Sequence, residues 1–307
     1  MDSRGQGPHG GAVVFARALA ACVVLLTACA PAAAPASSAA PVVASAPSPR
    51  LTTAVPTAAA SPVTREPVTF KSGSLDLHGF LWKPAGAGPF PAVLWNHGGD
   101  ITASAQYYDT LAPLFVRAGM VFFIPQRRGQ GDSPGLSVNT QFGQAPLADR
   151  NRLQVELFST VALDDQLAGF AYLKKRPEVD ASRIAVVGWS AGGQATLIAA
   201  EADPGYRVAV ACSAASVSWD GSPELQQRLI ATVAKIRIPV LMFQAQNDYS
   251  LNPQKTLGAE FLRLAKTYDS TVYPVHGTTA ADGHAFCVDS PDVWGDRVVG
   301  FIRKYMP

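Results

Sequence analysis

The sequence predicts an α/β domain on a mostly parallel sheet. Three observations carry that prediction. Short apolar runs recur along the chain from residue 91 to residue 275. Stretches with helical spacing separate them. The runs are nearly continuous rather than alternating, as suits strands buried on both faces. The chain has 307 residues, 48% of them hydrophobic, enough to bury a large core. A formal charge of +2 gives no electrostatic case for a nucleic-acid partner. There is no CxxC pair and no HExxH, so no metal and no cofactor is expected.

The elements follow in order. "PVTFKS" and "LDLHGFLWKP" mix apolar and polar residues and read as an antiparallel opening, with Gly73-Ser74 at the turn. "PAVLWNH" (91–97) and "MVFFIPQ" (120–126) read as buried parallel strands. Between them, 107–118 has a helical pattern closed by Gly119. Residues 126–158 read as a long irregular excursion. A helix is expected over 160–175, ended by Pro177, and "RIAVVG" (183–188) is the third buried strand. There follow a helix (190–202), a strand (206–212) and a short insertion (213–235) read as a lid. A strand (238–244), a helix (253–267), a strand (270–275) and a last helix (291–305) complete the chain.

Residues before Val63 read as lying outside this fold. Arg4 and Arg17 precede the apolar run "ALAACVVLLTACA", which suits a signal-peptide core and is too short to span a bilayer. It ends in Leu26-Thr27-Ala28-Cys29, which resembles the bacterial lipobox, the other reading being an ordinary secretory signal with a chance cysteine. That resemblance implies cleavage of residues 1–28, lipid on Cys29, and an exported protein anchored to the bacterial cell envelope. Residues 29–62 are rich in Ala, Pro and Ser and have no amphipathic period, so they read as an extended tether. The expected folded domain is then 63–307.

Two serines fit Gly-x-Ser-x-Gly, which is a weak signal in a chain with 26 glycines. A nucleophilic serine of this type needs an oxyanion donor from the backbone N–H of the next residue. Ser133 is followed by Pro134, which has no N–H, and neither a strand nor a helix flanks it. Ser190 lies between "RIAVVG" and the helical "AGGQATLIAAEA", with Ala191 supplying the N–H. The competing reading of Ser190 is an ordinary helix N-cap.

A serine hydroxyl needs a base, and the base needs an orienting acid. For a nucleophile on a strand-to-helix turn these follow in the order serine, acid, histidine. Asp248 stands beyond the strand "IPVLMFQ". His276 and His284 both follow the last strand. His284 is preferred, on a loop that Gly283 frees to fold back over Ser190, with Phe286 packing beneath it. The loop after 91–97 offers Gly99 as a second oxyanion donor, with Gly98 and Asp100 as alternatives. His97 reads as a structural hydrogen-bonder.

Asn96-His97-Gly98-Gly99, Arg128-Gly129-Gln130-Gly131-Asp132-Ser133, Gly188-Trp189-Ser190-Ala191-Gly192-Gly193, Asp248 and Gly283-His284-x-Phe286 together resemble the α/β-hydrolase superfamily. Within it they are similar to the dienelactone-hydrolase-like and prolyl-oligopeptidase-like branch, over roughly residues 64–307. The resemblance implies an eight-stranded sheet with helices on both faces, a Ser-His-Asp triad and hydrolysis of a small-molecule ester through an acyl-enzyme. Dienelactone hydrolase proper uses a cysteine nucleophile where this chain has Ser190, which removes the ground for its particular lactone substrate. A peptidase of short peptides and a non-catalytic binding module on the same fold are the rival expectations.

Ligands of open α/β sheets bind at the carboxyl ends of the strands. Arg128, Tyr107, Trp189 and Trp219 are therefore candidate substrate-binding residues, with Tyr108 beside Tyr107. For Arg128 the other reading is a salt bridge within its own loop. For Trp189 and Trp219 it is packing beside the nucleophile and within the lid. Cys212 and Cys287 read equally as a disulfide or as two buried thiols.

Overall fold

A computed structural model describes residues 63–99 and 108–307. The signal segment, the tether with Cys29, Asp100 and Tyr107 lie outside the described residues. The chain opens with an antiparallel pair, β1 (Arg65–Ser72) and β2 (Leu75–Trp82). Then come β3 (Phe90–Asn96), α1 (Ala112–Arg117) and β4 (Val121–Pro125). Pro113 stands in the first turn of α1, where its missing N–H costs nothing.

After β4 come α2 (Val138–Gln144), a single 3-10 turn at 147–149, and α3 (Arg150–Ser159). The excursion over 126–158 is thus partly helical. Ser137 caps α2 by accepting from the Thr140 N–H. The chain continues through α4 (Val161–Lys174), β5 (Val179–Trp189), α5 (Ala191–Ala202), β6 (Val208–Cys212), α6 (Pro223–Lys235) and β7 (Val240–Ala245). It ends with α7 (Asn252–Arg263), β8 (Tyr268–Tyr273), α8 (Ala280–Asp289) and α9 (Pro291–Tyr305).

The eight strands form one sheet in the order β1-β2-β4-β3-β5-β6-β7-β8. The β2–β4 pair is antiparallel, and every pair from β4 onward is parallel. Side chains of the central strands alternate between two buried layers. In β3, Ala92 and Leu94 enter one layer, and Val93 and Trp95 the other. In β5, Ile184 and Val186 face one layer, and Ala185 and Val187 the other. Both faces being covered is why these strands read as unbroken apolar runs. The first layer holds Phe170 of α4, Leu197 of α5, Leu229 of α6 and Phe261 of α7. The second holds Phe115 of α1 and Trp294, Val298 and Ile302 of α9.

The insertion over 213–235, read as a lid, is a crossover. β6 and β7 are adjacent and parallel, so the chain must cross a face of the sheet between them. Helix α6 does so, burying Leu225, Leu229 and Val233 completely. Each such side chain contributes about 1.5–3 kcal/mol of burial. Trp219, in the turn before α6, is 3% exposed and belongs to the same core layer. Its candidate place in a substrate pocket is corrected to core packing.

Candidate active site

Ser190 lies between the last residue of β5 and the first of α5, with φ 60° and ψ −123°. That backbone conformation is sparse for a residue with a Cβ and costs about 1–3 kcal/mol. It is held from outside the turn: the Ser190 N–H donates to the Cys212 carbonyl at 2.9 Å. The flanking glycines are required by close approach. A Cβ on Gly188 would stand 2.3 Å from the Gly192 carbonyl oxygen, and one on Gly192 would stand 2.0 Å from the Asn96 carbonyl oxygen. The end of β3 therefore rests on the start of α5, and Asn96 Nδ2 fastens it by donating to Thr196 Oγ1 at 2.9 Å.

Ser190 Oγ is 2.8 Å from His284 Nε2, and His284 Nδ1 is 2.9 Å from Asp248 Oδ1. The Asp248 side chain is fully buried. Its Oδ1 also accepts from the Tyr249 N–H at 2.7 Å and from Ser216 Oγ at 2.8 Å. The three residues singled out as nucleophile, acid and base thus form one hydrogen-bonded series. His276 is not part of it. The Asn247 side chain clasps the His276 backbone, accepting from its N–H and donating to its carbonyl, and the His276 ring packs on Phe286.

His284 sits on a helix, not on the flexible loop expected from Gly283. Thr279 and Asp282 cap α8 reciprocally, the Thr279 hydroxyl accepting from the Asp282 N–H. The Thr-x-x-Asp spacing was the available signal for that helix. Gly283 serves close approach rather than freedom, since a Cβ there would stand 2.6 Å from the Asn247 backbone. Trp189 Nε1 donates to the His284 carbonyl at 2.7 Å, and its ring is 6% exposed. Its candidate role as a pocket wall is corrected: it ties α8 to the end of β5.

Arg128 is also corrected. Its guanidinium and its backbone N–H both donate to Asp165 of α4, with Nη2–Oδ1 at 2.7 Å and N–Oδ2 at 2.9 Å. Ser72 Oγ donates to the same carboxylate at 2.7 Å. Asp165 is 1% exposed, so the ion pair anchors the loop after β4 to α4 and β1. Ser133 likewise serves its loop, donating to the Gln126 carbonyl at 2.8 Å and accepting from the His78 N–H at 2.9 Å.

Ala191 opens α5, so its N–H is among those with no intrahelical acceptor. Gly99 lies on the loop that continues from β3. Arg127, just after β4, holds that loop by donating to the His97 carbonyl at 3.0 Å and to the Gly98 carbonyl at 2.6 Å. Two neighbours escaped the sequence reading. Ser216 bonds Asp248 and lies 3.0 Å from His284 Nδ1. Tyr249, half exposed, sets its ring edge-on to His284 at 5.4 Å. Cys212 and Cys287 are both free and buried, and burial pushes each thiol's pKa up.

His97 is fully buried, and burial, with the Arg127 charge beside it, lowers its pKa well below the ordinary value. The folded state keeps this ring neutral while the unfolded chain protonates it. Its contribution to stability is therefore complete above about pH 6.5 and falls by about 1.4 kcal/mol per unit as pH drops toward the folded-state value. Urea unfolding at pH 7 and pH 5.5 is expected to show that loss, and His97→Gln to flatten it. Equal slopes in the two proteins would refute the assignment.

An eight-stranded, mostly parallel sheet covered on both faces, with a serine at φ 60° between β5 and α5, decides the architecture. The protein has the α/β-hydrolase fold. Solved structures of that fold resemble it along most of the described chain. The acylaminoacyl peptidase of Pyrococcus horikoshii has a TM-score of 0.60 at 16% identity, covering 80% of this chain and 42% of its own. A Klebsiella pneumoniae protein assigned as a dienelactone hydrolase has a TM-score of 0.58 at 20% identity, covering 79% of this chain and 99% of its own. The family model of the prolyl oligopeptidase family matches residues 155–222, the stretch of the hydrolase fold that contains Ser190. The thiohydrolase apmlB of Arthrinium phaeospermum is 32% identical over 157 residues, 50% of this chain and 45% of that one. The chain thus spans less than half the length of that relative and of the archaeal peptidase.

Proposed function

We propose that the protein is a serine hydrolase that cleaves carboxylic esters through an acyl-enzyme. The observation that carries this reading is the series Ser190 Oγ–His284 Nε2–His284 Nδ1–Asp248 Oδ1, at 2.8 and 2.9 Å, on a strained strand-to-helix turn. His284 accepts the Ser190 proton as Oγ attacks the ester carbonyl. Asp248 holds the imidazole with its proton on Nδ1 and stabilises the imidazolium. The N–H groups of Ala191 and Gly99 receive the oxyanion, where one donor is typically worth about 10²–10³ in rate. The tetrahedral intermediate collapses as His284 protonates the leaving alcohol. Water, deprotonated by the same imidazole, then releases the acid and restores Ser190.

The folds that resemble this one include a peptidase, and the partial relative is named a thiohydrolase. Substrate class is therefore tested directly, with matched acyl groups presented as p-nitrophenyl ester, thioester and aminoacyl amide. The ester is expected to have the highest kcat/KM, with fluorophosphonate labelling confined to Ser190. Preference for the amide would favour a peptidase. No labelling at Ser190 would favour a binding module.

The lipobox-like sequence supports a further part of this reading, in which residues 1–28 are removed and the domain 63–307 is displayed outside the cytoplasm on a tether through acylated Cys29. Intact mass of the membrane-extracted protein checks it. A mature chain starting elsewhere or carrying no lipid would refute it.

A further inference from the structure

Ser216 lies 26 residues beyond Ser190 in sequence, yet its hydroxyl meets both partners of His284's proton. Oγ is 2.8 Å from Asp248 Oδ1 and 3.0 Å from His284 Nδ1. We propose that Ser216 is a positioning residue of this site, one that fixes the imidazole with its proton on Nδ1 and its lone pair on Nε2 facing Ser190. The inference rests on the hydrolase reading of Ser190, His284 and Asp248.

For the neutral imidazole the hydrogen bonds allow one consistent arrangement. Asp248 Oδ1 is a carboxylate oxygen and can only accept, so the Ser216 proton points to it. The Ser216 oxygen then turns its lone pairs toward His284 Nδ1. Nδ1 faces two acceptors, Asp248 Oδ1 at 2.9 Å and Ser216 Oγ at 3.0 Å, and must carry the proton. Nε2 is left as an acceptor, 2.8 Å from Ser190 Oγ. When the ring takes the serine's proton, both oxygens remain against Nδ1–H and stabilise the charge that has appeared.

The backbone that delivers Ser216 carries an independent mark. Ser213 and Ala215, both non-glycine residues, have φ 51° and φ 60°. Such conformations cost energy and persist only where the surroundings impose them, most often at functional sites. Here the Ser213 N–H donates to the Phe243 carbonyl at 2.9 Å, which continues the β6–β7 pairing. The Ala215 carbonyl accepts from the Trp219 N–H at 2.9 Å. Between those two anchors the turn brings Ser216, 3% exposed, against Asp248 on the adjacent strand's loop. The same β6 end supplies the Cys212 carbonyl that holds the Ser190 N–H. One strand terminus thus supports the nucleophile from behind and the acid–base pair from the side.

The test compares Ser216→Ala, Ser216→Cys and Ser216→Thr in the full chain, using p-nitrophenyl butyrate. Alanine removes the hydroxyl, cysteine keeps the volume with a weak donor, and threonine keeps the hydroxyl. Hydrogen bonds to charged groups and the cost of a wrong tautomer set the scale. Ser216→Ala and Ser216→Cys are expected to lower kcat about tenfold to hundredfold with KM within about twofold, and Ser216→Thr to restore most of it. A wild-type kcat in either of the first two variants would overturn the proposal, as would a loss that falls on KM or unfolding of both variants at assay temperature. Absence of fluorophosphonate labelling at Ser190 in the wild type would sink the hydrolase reading itself, and this inference with it. Normal labelling of the wild type with undiminished kcat in Ser216→Ala would sink the Ser216 role alone.

Discussion

Ser190→Ala is expected to lower kcat on p-nitrophenyl esters by about a millionfold and to leave the fold intact. The size follows from the proposed role of Ser190 as nucleophile. Without Oγ there is no acyl-enzyme, and His284 and Asp248 have no nucleophile to activate. What survives is the modest acceleration that oxyanion donors and binding supply by themselves. Stability should change by less than about 1 kcal/mol, because the backbone bonds that hold the turn, Ser190 N–H to Cys212 O and Gln194 N–H to Ser190 O, do not involve the side chain. Single-turnover assay and thermal unfolding of the same preparation check both halves. A variant that keeps more than about a hundredth of wild-type kcat would rule out Ser190 as the nucleophile.

Gly192→Ala is expected to damage fold and activity together. The added methyl would sit 2.0 Å from the Asn96 carbonyl oxygen, 2.4 Å from the His97 carbonyl oxygen and 2.5 Å from the Asn96 carbonyl carbon. These are backbone atoms at the end of a central strand paired on both sides, so they cannot step aside as a flexible side-chain tip would. Relief must come from lifting α5 away from β3, which moves Ala191, Ser190 and the loop of Gly99 apart. A loss of about 3 kcal/mol or more is expected in denaturant unfolding, at the upper end of overpacking costs. Activity per folded molecule should fall at least about a hundredfold, since an oxyanion donor set is spoiled by small displacements. Alanine at Gly143, where an added Cβ meets nothing within 4 Å, is the matched control. Equal stability of the two variants would refute the packing argument.

Much of this site's geometry is legible in the sequence because a serine nucleophile, as proposed here, carries rules that local sequence obeys. Pro134 has no N–H to offer an oxyanion, which excludes Ser133, and Ser133 is bound into its own loop by Gln126 and His78. Ser190, Asp248 and His284 stand in the order expected along the chain and meet in space. Helix α8 has its capping pair, Thr279 and Asp282, written in the sequence, but Gly283 reads there as the mark of a flexible loop. Arg128, Trp189 and Trp219 each admit two readings in sequence, a substrate contact or a salt bridge or packing contact, because arginine and tryptophan are versatile. The partners of Arg128 and Trp189, Asp165 and the His284 carbonyl, lie 37 and 95 residues away, and Trp219 joins the core layer that α6 covers.

The sequence by itself determined which residue types could do chemistry, in what order, and which strands are buried on both faces. Those properties are local: a proline has no N–H wherever it folds, and an unbroken apolar run needs cover on two sides. Only the tertiary structure decided that Gly188, Gly192 and Gly283 are there for close approach, that Arg128 belongs to Asp165, and that Ser216 stands against His284. Each depends on which strand ends are neighbours. The order β3-β5-β6-β7 brings four strand termini together, and contacts between them are set by sheet register rather than by spacing along the chain.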